Sequence, residues 1–450
     1  MAGYSFSKDF LWGVATAAYQ VEGASTADGR GASIWDTFSA TPGKVREDHT
    51  GSVSCDQYHR YREDVQLMKG LGVKAYRFSV AWPRILPAGH GPVNPKGLDY
   101  YDRLTDELLA NGIQPWCTLF HWDLPQALQD EFGGWADRRI VECFGDYTAI
   151  VAKRLGDRVR HFFTINEMGC VSNQGYQLGA HAPGLKLPRR EFAQVNHHVL
   201  MAHGRCVQAL RANCALTPQV GVAENPCVCV PVLETPEHID AAQKAFRIKN
   251  GRYITALMEG RYIAEFLEEE GPDAPEFTEA DMRLIGEPLD FVGLNMYAPD
   301  YIRADPAEKN GFTSVPLPKA YPRMVPEWLF VGPSITYWGP RFVRDLWGVK
   351  SIYITENGCA CDDRPEPDGE VWDTDRVMYL RQHFIAASRA VQEGIPLKGY
   401  FVWSLMDNFE WQKGYTERFG LVYVNYQTLK RTPKLSAKFY AETIRRNAVV

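Results

Sequence analysis

Eight short apolar runs, each followed by an amphipathic stretch, constrain the fold of this chain more than any other feature. The runs begin at Leu11, Ala75, Gln114, Phe162, Val220, Phe291, Ile352 and Leu397. They are four to seven residues long and apolar on both faces, as expected of parallel strands buried on both sides. The stretches that follow carry apolar residues at helical spacing. Asp56–Lys69 has Tyr61, Val65 and Met68; Asp137–Leu155 has Ile140, Phe144, Tyr147 and Val151; Asp375–Gln392 has Val377, Leu380, Phe384, Ala387 and Val391. Eight strand-then-helix units predict an α/β fold, a single (β/α)8 barrel of the TIM type. The runner-up, a doubly wound sheet, would place a glycine-rich phosphate loop after an early strand. Trp12-Gly13-Val14-Ala15-Thr16 is not such a loop.

The 450 residues exceed what a minimal barrel needs, about 250. At ~150 residues per domain the length alone would suggest three domains, but barrels run past ~400 residues as one unit. No repeat, low-complexity tract or Gly/Ser linker interrupts the chain. The expectation is therefore one catalytic barrel domain over residues 1–450, with the extra length in strand-to-helix loops around 36–54, 168–190, 299–340 and 359–372. The stretch Pro299–Pro340 holds eight prolines, but also Tyr301, Phe312, Tyr321, Trp328, Phe330, Tyr337 and Trp338. That much apolar area predicts an ordered loop over one barrel face rather than a solvated linker.

Charge narrows the function. Lys plus Arg is 49 and Asp plus Glu is 55, a net −6 with no basic run, which argues against nucleic-acid or anionic-membrane partners. The segment Met1–Asp9 shows no secretory signal, and no apolar window is long enough to cross a bilayer. Ten cysteines are scattered, and the close pairs Cys227/Cys229 and Cys359/Cys361 have one residue between them. Zinc ligands are usually spaced more widely, so the reading is free thiols in a reducing cytoplasm, with no metal and no cofactor. The sequence does not set the oligomeric state, a homo-oligomer included.

Two strand ends carry the chemistry. Phe162-Phe163-Thr164-Ile165 runs into Asn166-Glu167, and Ser351-Ile352-Tyr353-Ile354-Thr355 runs into Glu356-Asn357-Gly358. Each glutamate is expected just past the C-terminal end of its strand, on the catalytic face of a barrel. Paired carboxylates at one mouth suit glycoside hydrolysis, in which one donates a proton to the leaving oxygen and the other, ionised, meets the anomeric carbon. Aromatic residues at other strand ends supply flat apolar faces for a sugar ring. These are His121-Trp122-Asp123 after the third strand, Tyr297 after the sixth, and Trp403 with Asn408-Phe409-Glu410-Trp411 at the eighth.

At these residues the sequence resembles glycoside hydrolase family 1, the β-glucosidase family. The resemblance spans nearly the whole chain. It rests on Phe10-Leu11-Trp12-Gly13-Val14-Ala15-Thr16-Ala17-Ala18-Tyr19-Gln20-Val21-Glu22-Gly23, Tyr76-Arg77-Phe78-Ser79, His121-Trp122-Asp123-Leu124-Pro125, Ile354-Thr355-Glu356-Asn357-Gly358 and the run from Trp403 to Trp411. It implies a retaining mechanism with Glu356 as nucleophile and Glu167 as acid, then base. It further implies that Asn166 binds the sugar 2-hydroxyl and that Arg77 and Tyr297 keep Glu356 ionised and oriented. Gln20, His121, Trp122, Glu410 and Trp411 would contact the terminal sugar, and Trp403 would be its stacking floor. The implied substrates are small β-linked oligosaccharides and aryl glucosides. Glu410 argues against phosphorylated sugars, and Glu167, where thioglucosidases carry Gln, argues for ordinary O-glycosides.

Three positions depart from the family pattern. The usual Asn-Glu-Pro reads Asn166-Glu167-Met168, which frees a backbone torsion beside the acid. A Trp expected on the leaving-group side is replaced by Pro333, leaving Trp328 or Trp338 as substitutes. An Asp near the C-terminus is Asn425. Outside the family motifs, His197, His198 and His203 share one expected helix, Glu191–Arg211, without metal spacing. Asp362–Asp375, with seven carboxylates, reads as a solvated loop and lacks the residue order of a calcium loop.

Overall fold

The computed structural model describes residues 3–450; Met1 and Ala2, the start of the N-terminal reading, lie outside the described residues. The predicted barrel is present. Its eight parallel strands are β1 (Leu11–Ala15), β2 (Ala75–Ser79), β3 (Gln114–Phe120), β4 (His161–Asn166), β5 (Gln219–Glu224), β6 (Phe291–Asn295), β7 (Ile352–Asn357) and β8 (Leu397–Trp403). They follow one another round the barrel, which closes where β8 pairs with β1, Ala15 opposite Trp403. Two strands, β4 and β5, begin one residue earlier than the apolar runs, at His161 and Gln219. The expected helices appear as Gln57–Gly70, Ile140–Leu155, Arg189–Asn213 and Thr374–Gln392. Among the described residues no helix is long and apolar enough to cross a membrane.

An aromatic plug fills the lower barrel. The Trp116 ring stacks on His161 at 3.9 Å and meets Phe163, Phe291, Tyr353 and Phe401 at 4.9–5.8 Å between those centroids. These residues come from β3, β4, β6, β7 and β8, so the plug ties five strands together and gives the mouth above it a dry floor.

Both carboxylate-bearing strands break their pairing near the top. In β4, Thr164 points outward, its Oγ1 2.6 Å from His203 Nδ1 on the helix Arg189–Asn213. Strict alternation would send Asn166 the same way. A register shift between Phe163 and Asn166 lets Asn166 turn inward. In β7 a shift between Ile354 and Glu356 lets two successive side chains, Thr355 and Glu356, reach the same interior network. Such bulges re-aim side chains beside active sites. Glu356 accordingly lies inside β7, not beyond its end as expected from the sequence.

The extra length is more structured than expected. The stretch 299–340 is not a plain loop. Pro299–Ala304 and Phe312–Ser314 join Val228–Pro231 in a three-stranded sheet, and a helix starts at Ile335. Within 168–190, Cys170–Gln177 is a π-helix, a form concentrated at functional sites.

The acidic stretch Asp362–Asp375 is likewise not merely solvated. Asp363 and Asp373 are buried, because Arg376 binds both and Lys434 Nζ binds Asp363 at 2.5 Å. Lys434 Nζ also lies 2.6 Å from Asp407, which accepts from Arg418 at 2.6 Å and from the Gly420 N–H at 3.0 Å. Asp407 sits between Trp403 and Trp411, so this buried charge network clamps the β8 loop to the β7 loop. Breaking a buried pair strands a charge and costs roughly 3–5 kcal/mol. Lys434→Met should lower stability by about that amount, read as a lower midpoint in denaturant unfolding. An unchanged midpoint would show that the network is not a structural clamp.

Candidate active site

The mouth of the barrel holds a pocket of about 300 Å³. His121, Trp122, Asn166, Glu167, Tyr297, Glu356, Trp403, Glu410 and Trp411 all line it. The structure thus brings together nine of the eleven residues singled out in the sequence. The other two, Arg77 and Gln20, are fully buried just behind the wall.

Arg77 is the hub. It projects from the middle of β2, its guanidinium 4.9 Å above the Phe163 ring. Its Nε donates to Thr118 Oγ1 at 3.0 Å, its NH1 to Glu356 Oε1 at 2.6 Å and its NH2 to Asn166 Oδ1. Tyr297 OH donates to the other oxygen of Glu356 at 2.9 Å. Glu167 has a different environment. It accepts from Asn295 Nδ2 at 2.8 Å and has no cation in hydrogen-bond contact. Asn295 also donates to Asn166 Oδ1 at 3.0 Å and accepts from Thr355 Oγ1 at 2.7 Å. A short chain of hydrogen bonds therefore links the two carboxylate-bearing strand ends through β6.

Electrostatics follow from these contacts. The Glu356 carboxyl is raised to about 7: burial pushes it up, Arg77 pulls it down, the charge of Glu167 pushes it up and the Tyr297 hydroxyl pulls it down. Burial also raises Glu167, against the hydrogen bond from Asn295. Two buried carboxyls that push each other up do not both ionise readily. The cation in direct contact belongs to Glu356, which favours the ionised form there over Glu167. Glu410 is raised well above the usual range by burial and then by the charges of Glu417, Glu356 and Glu167. An anionic sugar placed among these crowded carboxyls would further disfavour their ionisation and enter at a cost.

The far wall is arranged for hydroxyl groups. Arg77 and Asn295 both donate to Asn166 Oδ1, so its Nδ2 must face His121 Nε2, 3.1 Å away. That contact leaves the His121 proton on Nδ1, which is buried without a partner. Burial holds the ring neutral, well below its ordinary pKa. Gln20 Nε2 donates to Asn408 Oδ1 at 3.0 Å and to the Phe409 carbonyl at 2.8 Å, leaving Gln20 Oε1 buried and unpartnered. One donor and one acceptor are thus left buried without a protein partner. Trp411 packs on Trp122 at 4.4 Å, and Trp122 Nε1 donates to the Asn166 carbonyl at 2.9 Å. Three pocket residues, Trp122, Glu167 and Trp411, hold positive φ values of 80°, 47° and 46°, a strain that concentrates at functional sites. Gly358 is required by close packing: a Cβ there would sit 1.8 Å from the Trp403 carbonyl oxygen.

The sequence profile of glycosyl hydrolase family 1 matches residues 3–449. The chain belongs to glycosyl hydrolase family 1. It is 44% identical to beta-glucosidase A of Acetivibrio thermocellus, over 99% of this chain and 100% of that one. It is 43% identical to the 1,4-beta-D-glucan glucohydrolase of Thermotoga neapolitana, over 99% of each. The solved structure of a family 1 β-glucosidase from Thermotoga maritima superposes with a TM-score of 0.91 at 42% identity, covering 100% of both chains.

Within this family 1 site, the two candidates for the outer wall separate. Trp328 lines the pocket, half-exposed, edge-on to Tyr297 at 5.7 Å. Trp338 is buried against Tyr337 and Phe342, away from the pocket. Sequence reasoning missed Asn295, Thr118, Thr355 and Glu224. Glu224 was findable, since it ends β5 just as Asn166 ends β4; the others are ordinary polar residues marked only by the network. Among the described residues one group with metal-ligand geometry occurs, Cys227, Cys229 and Asp300. Lys249 Nζ lies 2.6 Å from Asp300, a cation where a metal would go. His197, His198 and His203 bond to Tyr262, the Trp135 carbonyl and Thr164 and serve packing.

Because the Tyr297 hydroxyl pulls the Glu356 carboxyl down, Tyr297→Phe should let it rise. The acidic limb of the kcat/KM profile on an aryl β-glucoside should then move to higher pH, by roughly one unit. An unmoved limb would show that Tyr297 does not tune Glu356.

Proposed function

We propose that the protein is a retaining β-glucosidase. It releases terminal non-reducing β-D-glucose from β-linked oligosaccharides and aryl glucosides, and also accepts β-galactosides and β-fucosides. The observation that carries this reading is the unequal treatment of two carboxyls in one buried network: Arg77 is bonded to Glu356 and not to Glu167.

The mechanism follows from that inequality. Glu356, ionised against Arg77, attacks the anomeric carbon and forms a glycosyl ester. Glu167 gives its proton to the leaving oxygen, then removes one from the incoming water, which releases the sugar and restores both groups. Asn166, held by Arg77, Asn295 and His121, presents its amide to the sugar 2-hydroxyl, where a hydrogen bond strengthens at the transition state. Gln20 Oε1 and His121 Nδ1 pair with the remaining hydroxyls, together with Glu410. Trp403, Trp411 and Trp122 supply the apolar walls. Every step uses side chains of this one chain, so the reaction calls for no cofactor. Free thiols at all ten cysteines support a reducing cytoplasm as the place of action.

Turnover of a panel of aryl β-glycosides tests the activity; no released phenol from glucoside, galactoside or fucoside would leave only a sugar-binding barrel. Glu356→Ala should lower kcat by at least roughly 10⁴-fold, and added azide should then give an α-glycosyl azide. Near-normal turnover in that variant would exclude Glu356 as nucleophile. Met168 and Pro333 alter the acceptor side, and the reading predicts transfer to sugars in competition with water. Product analysis at high glucose should show disaccharides, and hydrolysis alone would contradict it.

A further inference from the structure

A third carboxyl lies behind the acid. Glu224, the last residue of β5, is 2% exposed, and its Oε2 accepts from the Met168 N–H at 3.1 Å. The nearby N–H groups of Asn225 and Gly169, with that of Met168, favour its ionised form against burial. Met168 directly follows Glu167, so this carboxyl holds the backbone on which the acid is mounted. The bond exists because residue 168 is Met: a proline there would have no N–H to donate. Glu167 itself sits at a φ of 47°, a conformation that persists only where the surroundings fix it.

Glu224 is not sealed in. It lines a second cavity of about 470 Å³, which shares Cys170, Gln174 and Asn225 with the catalytic pocket. The cations of this cavity are taken by other partners, Arg252 by Glu270 and Lys249 by Asp300. Tyr253 faces Glu224 from the same wall with its hydroxyl shared by Ser172 and Asn196, and Glu269 stands at the rim. No cation therefore neutralises Glu224. Glu167 meets Glu224 from β5, the more distant Arg77 from β2 and the Cys170 thiol from its own loop, and its charge acts on Glu356 of β7.

We infer that Glu224 is a positioning residue for the acid/base: its carboxylate pins the backbone at Met168, and its negative charge disfavours the ionised form of Glu167. This rests on the reading of Glu167 as acid/base. Burial pushes Glu224 up to about 7, so its charge grows in over the neutral range, where it keeps the Glu167 proton in place.

Three variants separate pin from charge. Glu224→Gln keeps an oxygen for the Met168 N–H and removes the charge. Glu167 should then ionise sooner, and the basic limb of kcat/KM should move to lower pH by roughly one unit. Glu224→Ala and Met168→Pro remove the pin. Their kcat/KM on alkyl glucosides, whose departure needs the acid, should fall by roughly 10–100-fold, with little loss of kcat/KM on a dinitrophenyl glucoside, whose departure does not. Glu224→Gln should restore the alkyl substrate relative to Glu224→Ala. A basic limb unmoved in Glu224→Gln, or equal losses on both substrates in Glu224→Ala, would overturn the inference. Glu167→Gln is the control. If it shows the selective loss on alkyl glucosides and Glu224→Ala does not, only this inference fails; if Glu167→Gln shows no such selectivity, the acid/base reading itself fails.

Discussion

The contact between Arg77 and Glu356 is the constraint around which the rest is arranged. Both groups are almost fully removed from water, and an isolated buried charge is expensive. Guanidinium cannot shed its proton, so the structure must supply Arg77 with acceptors. It supplies Glu356, Asn166 and Thr118, one from each of β7, β4 and β3. Satisfying one cation thereby fixes the tops of four strands relative to one another. In the proposed mechanism the difference between the two carboxyls is a by-product: with Arg77 committed to Glu356, the neighbouring Glu167 is left to hold a proton.

Two features of the barrel make that geometry available. The aromatic plug around Trp116 stops the interior short of the mouth, so the polar groups above it stand on a dry floor where hydrogen bonds are strong. The bulges in β4 and β7 then turn Asn166 inward and bring Glu356 beside Thr355. Around the rim, Asp407, Lys434 and Asp363 hold the β8 loop that carries Trp403, Glu410 and Trp411. Floor, aim and rim are thus fixed by separate interactions, which is what positioning to a fraction of an ångström requires.

Much of this was legible in the sequence. Buried parallel strands show as apolar runs, and six of the eight begin where the runs begin. Glu167, His121, Trp122, Tyr297, Trp403, Glu410 and Trp411 stood out as strand-end residues of unusual chemistry, and all line the pocket. What was not legible depends on register and long-range pairing. Glu356 was expected past its strand because a bulge has no local signature. Asp363 and Asp373 looked solvated because their partners Arg376 and Lys434 reach them from other elements. Asn295 and Glu224 act through what they touch, and a sequence does not say what touches what. Trp328 and Trp338 were equal candidates until packing separated them.

Glu356 is the proposed ionised carboxylate because Arg77 is bonded to it. Trapping the enzyme with an activated 2-deoxy-2-fluoro-β-glucoside and mapping the labelled peptide tests that assignment directly. The expected result is one fluoroglucosyl group per chain, esterified to Glu356. A label on Glu167 or Glu224, or turnover with no ester formed, would contradict it.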